Sequence, residues 1–269
     1  MNSSISNKPL STTDLNLQLD IIIPVYNEAA NIIKVFEQFR LHIKSNYRVL
    51  ICYDFSEDDT LVAIRNYQEQ MHYNYNQPSI DIQLIRNNNK GPLAAIVCGF
   101  KRSTAPYVLV YPADDFINAQ LIDQMLFMAK SGADIVCPSR FISGGYMQNC
   151  PKIKSLLMQA TNFLLHKIAK IPTHDASNGF RLFSRKVLDT INIESTKGFA
   201  YSIELLVKAH RLNYKIAELP SRWIERTNGK SRFKIFSWSY CYGRWFIYAF
   251  CTIIYKLNWN FWNNKKYVQ

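Results

Sequence analysis

Two adjacent carboxylates, Asp114 and Asp115, stand directly after a short apolar run that ends at Tyr111. Carboxylate oxygens are the ligands that Mg²⁺ and Mn²⁺ prefer, and such a cation commonly also bridges the phosphates of a substrate. Adjacent acids are also common in solvated turns. The pair is therefore a candidate divalent-cation site for a diphosphate, and its meaning depends on the elements that position it.

Polar residues also follow two earlier apolar runs. Asn27 and Glu28 come after the first run, where Asn caps helix amides and Glu can accept hydrogen bonds from a base or a ribose. Asp54 ends the second run, and Ser56 with Asp59 has the spacing of a capping box. That spacing predicts that Asp54 is free to accept a hydrogen bond from the imino group of a nucleobase.

These side chains depend on an alternation of short apolar runs and amphipathic stretches. The predicted strands cover residues 19–25, 47–53, 80–86, 107–111 and 133–137. The predicted helices start near residues 29, 56, 92, 118 and 152, and after residue 140 the alternation loosens into a loop and further helices. The pattern predicts an α/β fold with a mainly parallel sheet flanked by helices.

Ligands of parallel sheets bind beyond the carboxyl ends of the strands. We therefore expect four loops to converge on one site, namely 24–31, 54–59, 87–91 and 111–117. The third loop carries Lys90 beside a glycine at the start of a helix, which suits a phosphate-bearing ligand and equally suits an ordinary polar turn.

Composition and charge narrow the class of protein. The chain has 269 residues, of which 48% are hydrophobic, so it is neither disordered nor collagen-like. Its formal net charge is +12, which favours polyanionic partners such as nucleic acid, nucleotides or anionic lipid headgroups. Six cysteines show no metal-ligand spacing, and the polar start of the chain lacks a signal peptide, so we expect reduced thiols and a cytoplasmic location.

Charge and aromatic residues concentrate at the end of the chain. Residues 221–269 hold nine Lys and Arg against one acid, Glu225. We divide the chain into a flexible segment 1–18, a domain 19–235 and an aromatic, basic tail 236–269. The tail is interrupted by Arg244 and is too short in apolar residues to span a bilayer, so we predict an interfacial helix on an anionic membrane surface. A helix docked on the domain is the other interpretation, and one helix can do both.

Several ordered motifs resemble one family. They are IIIPVYNEAANI, YDFSEDDT, NKGPLAAIVCGF, YPADD, PSRFISGG, DASNGFRLFSR and ERTNGKSRF, which together span roughly residues 19–235. Their order resembles the inverting glycosyltransferases of family 2, with the GT-A fold, and within them the enzymes that transfer sugars to dolichol or other polyprenol phosphates.

The resemblance implies a role for each matching residue. Nucleoside contacts would come from Pro24, Tyr26, Glu28 and Asp54. Asp114 would approach a divalent cation, Mg²⁺ or Mn²⁺, and the donor diphosphate. Phosphate groups of donor or acceptor would contact Arg140, Lys154, Arg181 and Lys230.

The chain departs from the family pattern at three positions. Pro112 occupies the first position of the usual Asp-x-Asp, which leaves Asp114 in the second position and Asp115 as an extra carboxylate. Tyr53 stands where the family commonly has an Asp, and Lys154 replaces an arginine, which keeps the charge but loses the bidentate fork.

The resemblance implies transfer of a hexose from a nucleotide-diphospho-sugar to a lipid phosphate at a membrane. The cation, with Arg181 or Lys230, would stabilise the negative charge on the leaving nucleotide. Transfer to a saccharide hydroxyl is an alternative and needs a base, for which Asp115 and Asp175 are the candidates. A non-catalytic nucleotide-sugar binder is a further alternative, and nucleic-acid binding is disfavoured because no reading motif is present. We interpret Asp175 as a brace for the loop of Arg181, and the scattered histidines, including His174, as structural.

Overall fold

The computed structural model describes residues 17–73, 80–224 and 242–256. Its strands within these ranges are β1 (Leu19–Pro24), β2 (Tyr47–Tyr53), β3 (Asp81–Arg86), β4 (Tyr107–Val110), β5 (Ile135–Ser139), β6 (Tyr146–Gln148), β7 (Arg181–Ser184), β8 (Ile216–Pro220) and β9 (Arg222–Ile224). Its helices are α1 (Ala29–His42), α2 (Asp59–Tyr73), α3 (Pro92–Arg102), α4 (Ile122–Lys130), α5 (Lys152–Lys167), α6 (Arg185–Thr190), α7 (Ala200–Arg211) and α8 (242–256).

Seven of the strands form one sheet in the order β3-β2-β1-β4-β7-β5-β8. The pairs β1 with β2, β1 with β4, β2 with β3 and β5 with β8 are parallel, whereas β7 is antiparallel to both of its neighbours. The predicted α/β class and the mainly parallel sheet are confirmed. The sequence predicted a loop where β7 lies, because this four-residue strand is too short to show a period.

Each face of the sheet buries its own hydrophobic core. Ile22 points into a core shared with α3, α7 and α8, while its neighbours Ile21 and Ile23 point into a core shared with α1, α2 and α4. A strand covered on both faces has no solvent-exposed face, which is why β1 is apolar from Ile21 to Ile23 and why its charged residue, Asp20, is buried in an ion pair with Arg48. The result is a three-layer arrangement of helices, sheet and helices.

Close packing sets the position of α3. A Cβ atom on Gly99 would lie 2.7 Å from Ile22 Cγ2 and 3.0 Å from Cys52 Sγ. Glycine therefore lets α3 approach β1 and β2 closely. This contact fixes the start of α3 at the loop 87–91 beyond the carboxyl end of β3.

Helix α8 docks on the domain. Trp245 is buried and its indole Nε1 donates to Ser195 Oγ at 2.8 Å, while Arg211 of α7 donates to Thr252 Oγ1 and to the Tyr248 carbonyl. Docking was one of the two interpretations of the tail, and it is confirmed for residues 242–256. No helix in the described ranges is long and apolar enough to cross a membrane.

His210 of α7 makes folding stability depend on pH. Burial, together with the charge of Lys256 on α8, lowers the pKa of His210 to about 4. An unfolded His binds its proton near pH 6.5, so this contribution to stability is complete above about pH 6.5 and is lost as the pH falls toward 4.

The protein loses stability between pH 7 and pH 5, and we expect this loss to be about 1 kcal/mol smaller in His210→Gln, a figure reduced for the residue's partial exposure. Urea unfolding at the two pH values measures it. The exposed His72 supplies the control, His72→Gln, which leaves the loss as it is in the unmodified chain. An equal pH effect in both variants contradicts the assignment.

Candidate active site

The loops after β1 and β2 are joined by a buried carboxylate. Asp58 is 1% exposed, and its two oxygens accept from the Asn27 amide at 3.1 and 3.2 Å. The same carboxylate accepts from the Thr60 amide at the start of α2, and the Glu28 amide donates to Thr60 Oγ1 at 2.9 Å. Asn27 has a φ of 54°, so Asp58 stabilises a left-handed turn directly after β1.

Asp54 joins the second loop to the third. Its Oδ1 accepts from Asn87 Nδ2 at 2.9 Å and its Oδ2 accepts from the Gly91 amide at 2.8 Å. The prediction that Asp54 is free at the strand end is therefore wrong, because both of its oxygens hold the loop that carries Lys90. The predicted convergence of the first three loops is confirmed by these contacts.

The other predicted nucleoside contacts lie at the same edge of the sheet. Tyr26 is 50% exposed, and its ring meets the edge of the Phe55 ring with centroids 5.2 Å apart. Glu28 Oε2 accepts from Asn31 Nδ2 at 2.8 Å, and Pro24 is the last residue of β1. Exposed aromatic and half-buried acidic groups thus lie together where the parallel strands β1 and β2 end.

The two carboxylates after β4 have different surroundings. Asp114 is half-buried in the loop, whereas Asp115 is 7% exposed and accepts from the amides of Ile117 and Asn118 and from Asn118 Nδ2. Burial raises the pKa of Asp115, and these hydrogen bonds oppose that rise. Asp115 Oδ1 faces the backbone that starts the next helix and Oδ2 accepts from the Asn118 side chain, so both oxygens are engaged within this loop, and the metal and catalytic roles of Asp115 stay predictions.

Of the two carboxylates at this loop, Asp114 is the candidate ligand for a divalent cation. Asp114 remains after Asp115 is assigned to the turn, and Pro112 offers no ligand. Within residues 17–73, 80–224 and 242–256 no cluster of three or more His, Cys, Asp or Glu side chains is arranged to hold a metal. Magnesium sites with one protein carboxylate obtain their remaining ligands from water and substrate phosphates, so Asp114 fits a cation that arrives with a diphosphate.

Arg140 is fixed by an ion pair after β5. Its Nε lies 2.6 Å from Asp175 Oδ2 and its Nη2 lies 2.8 Å from Oδ1, with a further bond to Ser177 Oγ. Asp175 is fully buried. These contacts agree with the interpretation that Asp175 braces the loop of Arg181, because its carboxylate accepts from Ser177 Oγ in that loop and its carbonyl accepts from Arg181, while the carboxylate also holds Arg140.

A cavity of about 540 Å³ opens beside Arg140 and α5. Its wall combines apolar, amide and basic side chains, and none of the described residues that line it is Asp or Glu. The lining residues are Arg140, Phe141, Ile142, Gly145, Leu156, Gln159, Ala160, Asn162, Phe163, His166, Lys167 and His174. Such a wall suits a ligand with an anionic end and an apolar body.

Arg181 is not in this cavity. It lies in β7 with no exposed surface, and its guanidinium donates to the carbonyls of Ser202, Asp175 and Ala176. The guanidinium has no exposed surface that a phosphate could reach in this structure, and the catalytic and phosphate-binding role of Arg181 stays a prediction. Its charge serves to hold the segment 175–176 and the start of α7 against the sheet.

The two predicted lysines have different outcomes. Lys154 is half-buried in the first turn of α5, outside the residues that line the cavity, so its role as a phosphate ligand stays a prediction. Lys230 lies outside the described residues.

Three positioning groups were missed by the sequence interpretation. Asn87 and Asn118 tie loops together, and Glu218 of β8 accepts from His174 Nδ1 at 2.5 Å. The sequence contains a hint of the role of the two asparagines, since Asn87 follows a predicted strand and Asn118 stands at the start of a predicted helix. The histidine pair with Glu218 carries none, because 44 residues separate its partners.

The buried carboxylate of Asp58 gives a stability test of this loop framework. Asp58→Ala leaves the amides of Asn27 and Thr60 without their acceptor, which we expect to lower the free energy of unfolding by about 2–3 kcal/mol. Asp59→Ala is the matched control, because this neighbouring carboxylate is exposed and makes one 3.3 Å bond to the Ala29 amide. Its loss is expected to cost less than about 1 kcal/mol. Denaturant unfolding compares the two, and equal losses contradict the assignment.

Comparisons with known proteins agree with this architecture. The protein is 26% identical over 234 residues to a dolichyl-phosphate beta-glucosyltransferase of Dictyostelium discoideum, covering 80% of this chain and 69% of that protein. It is 26% identical over 223 residues to a dolichol-phosphate mannosyltransferase of Pyrococcus furiosus, covering 81% of this chain and 60% of that protein. A polyprenol monophosphomannose synthase of Mycolicibacterium smegmatis is 25% identical over 222 residues, with 79% of each chain covered.

A solved structure supports the fold. Glucosyl-3-phosphoglycerate synthase from Mycobacterium tuberculosis, in complex with Mn²⁺, uridine diphosphate and glucosyl-3-phosphoglycerate, has a TM-score of 0.62 at 12% identity, covering 92% of this chain and 86% of that one. The expected GT-A type of fold is confirmed. Residues 20–191, more than half of the chain, match the model of glycosyl transferase family 2, and the protein therefore belongs to that family.

Proposed function

We propose that this glycosyltransferase moves a hexose, with inversion, from a nucleotide-diphospho-sugar to a polyprenyl phosphate. The observation that carries the proposal is the cavity beside Arg140, whose wall joins basic side chains to the apolar side chains of Leu156 and Phe163. A lipid phosphate has both the charge and the apolar chain that this wall matches. The names of the relatives, which describe dolichol- and polyprenol-phosphate enzymes, support the same acceptor.

The donor occupies the edge formed by the first three loops. Tyr26 offers an exposed ring for a nucleobase, and Glu28 and Asp54 place carboxylate oxygens at the ends of β1 and β2. Asp54 already accepts two hydrogen bonds, yet each carboxylate oxygen has a second lone pair that can accept from a base. Lys90 is exposed on the loop that Asp54 holds, which suits contact with the donor's phosphates.

Asp114 is the residue that holds a divalent cation, Mg²⁺ or Mn²⁺, together with the donor diphosphate. The complexes of the Mycobacterium tuberculosis synthase with Mn²⁺ and uridine diphosphate support the use of a cation in this fold. When bound, the cation stabilises the negative charge that develops on the leaving diphosphate.

The chemical step needs positioning more than proton transfer. The bond between the sugar C1 and the diphosphate oxygen breaks, its electron pair leaves with the nucleoside diphosphate, and a phosphate oxygen of the acceptor forms the new bond to C1. That oxygen is already anionic, so no base is required. The two base candidates for a hydroxyl acceptor, Asp115 and Asp175, are both engaged by hydrogen bonds, which favours the phosphate acceptor.

We expect the full-length protein in detergent to transfer a hexose from one member of a panel of GDP- and UDP-sugars to polyprenyl phosphate. Asp114→Ala and removal of the cation by a chelator each lower the rate at least about a hundredfold. Glu37→Ala is the matched control, because it removes an exposed carboxylate of α1 and leaves the rate unchanged.

Two results contradict the proposed activity. Binding of a nucleotide sugar without transfer to any acceptor identifies a non-catalytic binder, in keeping with Pro112. Transfer to a saccharide hydroxyl, but not to polyprenyl phosphate, identifies the alternative acceptor.

A membrane surface is the partner that suits α5. This helix contains no Asp or Glu, and it exposes Ile153 (78%), Leu157 (57%) and Phe163 (60%) while Lys152 and Lys167 stand at its two ends. An exposed apolar face with basic ends is typical of helices that lie in the interface of anionic membranes. Helix α8 also exposes Ile247 and Ile254, so the docked tail retains apolar surface.

We expect the double variant Ile153→Gln, Leu157→Gln to bind vesicles containing anionic lipid about tenfold more weakly than the unmodified protein, because two exposed apolar side chains no longer enter the lipid. Cosedimentation measures the binding, with vesicles of zwitterionic lipid for comparison. Phe127→Gln is the control, since this residue of α4 is 70% exposed and belongs to another helix. Equal binding by all three proteins contradicts the role of α5.

A further inference from the structure

Two histidines stack in the wall of the cavity. The rings of His166, from α5, and His174, from the loop before β7, have centroids 3.8 Å apart and an interplanar angle of 31°. Both line the cavity that also contains Arg140 and Lys167. The sequence interpretation treated these histidines as structural, and their joint placement gives them a different use.

The hydrogen bonds of the two rings define where each takes up a proton. His166 Nδ1 lies 3.0 Å from the Ile171 carbonyl, which can only accept, so Nδ1 carries a hydrogen. His174 Nδ1 lies 2.5 Å from Glu218 Oε1, and this carboxylate also accepts from Thr173 Oγ1 and the His174 amide. Both rings are thus anchored through Nδ1. A second proton on either ring goes to Nε2.

The wall of the cavity carries less positive charge than a phosphate with two negative charges would require. Arg140 is the strongest cation in the wall, but the fully buried Asp175 faces it through two hydrogen bonds and offsets its charge. Among the residues that the structure describes, the charged groups around the two rings are Glu218 behind His174, Asp175 with Arg140, and Lys167 beside His166 in α5. A phosphate with close to two negative charges therefore meets one basic group that no acid in this set offsets.

We infer that the stacked pair His166 and His174 binds the phosphate end of the acceptor and takes up a proton when it does so. Imidazole is the side chain that changes charge between pH 5 and 8, and each added proton raises the positive charge of the wall by one. Two stacked imidazolium rings repel each other, so an anion is what makes the doubly protonated pair favourable. The inference rests on the proposed polyprenyl-phosphate acceptor and deepens it, because it makes acceptor binding depend on pH.

Titration calorimetry of the full-length protein with farnesyl phosphate tests the proton directly. Measured in two buffers of different ionisation enthalpy at pH 7.5, binding is expected to take up about one proton in the unmodified protein and fewer in His174→Gln and His166→Gln. Inorganic phosphate and farnesol are the comparison ligands, which separate a lipid phosphate from a free anion and from an apolar chain alone.

The pH profile of the acceptor KM gives the second measurement. His174→Gln is expected to raise the acceptor KM about tenfold at pH 6 and much less at pH 8, whereas Lys167→Gln raises it by the same factor at both pH values. The titration of the acceptor's own phosphate is common to every variant and cancels in these ratios. The donor KM is expected to stay constant across the variants.

The outcomes separate this inference from the proposed function. Transfer to polyprenyl phosphate with the same proton uptake in all variants overturns the role of the histidines and leaves the proposed function intact. Proton-linked binding of farnesyl phosphate without transfer supports the histidine site and overturns the proposed activity. A His174→Gln variant that binds normally but fails to transfer to a hydroxyl acceptor identifies His174 as a base and overturns the inference. If His174→Gln does not fold, His166→Gln gives the same comparison.

Discussion

The site depends on one buried and one half-buried carboxylate that accept hydrogen bonds from the backbone amides of neighbouring loops. Asp58 holds the turn after β1, and Asp54 holds the loop before α3. Each acid requires its amides as much as the loops require the acid, because a buried carboxylate without donors is costly. This mutual requirement gives three separate loops one shared geometry. The exposed Tyr26 ring lies in the first of these loops, so this framework holds it beyond the end of β1.

The sequence patterns predicted the strands better than they predicted the exposure of single side chains. The apolar runs predicted β1 to β5 closely, and the meeting of the first three loops followed from the parallel order of those strands. Residue type alone did not reveal exposure. Arg181 and Asp115 were interpreted as ligands for a substrate because they are charged. Both are buried, and Arg181 donates to backbone carbonyls while Asp115 accepts from backbone amides. Contacts between distant segments, such as His174 with Glu218, left no local signal.

Similar side chains therefore do different work in this protein. Arg181 stabilises the chain from within the sheet, whereas Arg140 is turned into a cavity by its pairing with Asp175. An ion pair of this kind orients a guanidinium more than it supplies charge, since the carboxylate offsets what the arginine brings. A side chain that takes up a proton when an anion binds adds positive charge to the site at that moment. The cavity wall contains two imidazole side chains, and one of them, His166, belongs to α5, the helix that exposes Ile153 and Leu157.

The position of β7 has a consequence for how the chain folds as it is synthesised. Residues 181–184 pair with β4 on one side and β5 on the other, although both partners precede them by more than 40 residues. Strands β3, β2, β1 and β4 can associate as soon as β4 has emerged, but β5 and β8 have no place in the sheet until β7 arrives. During that interval β4, with the sequence Tyr-Val-Leu-Val, is an open edge that can pair with another nascent chain. Pairing with β7 closes that edge of β4.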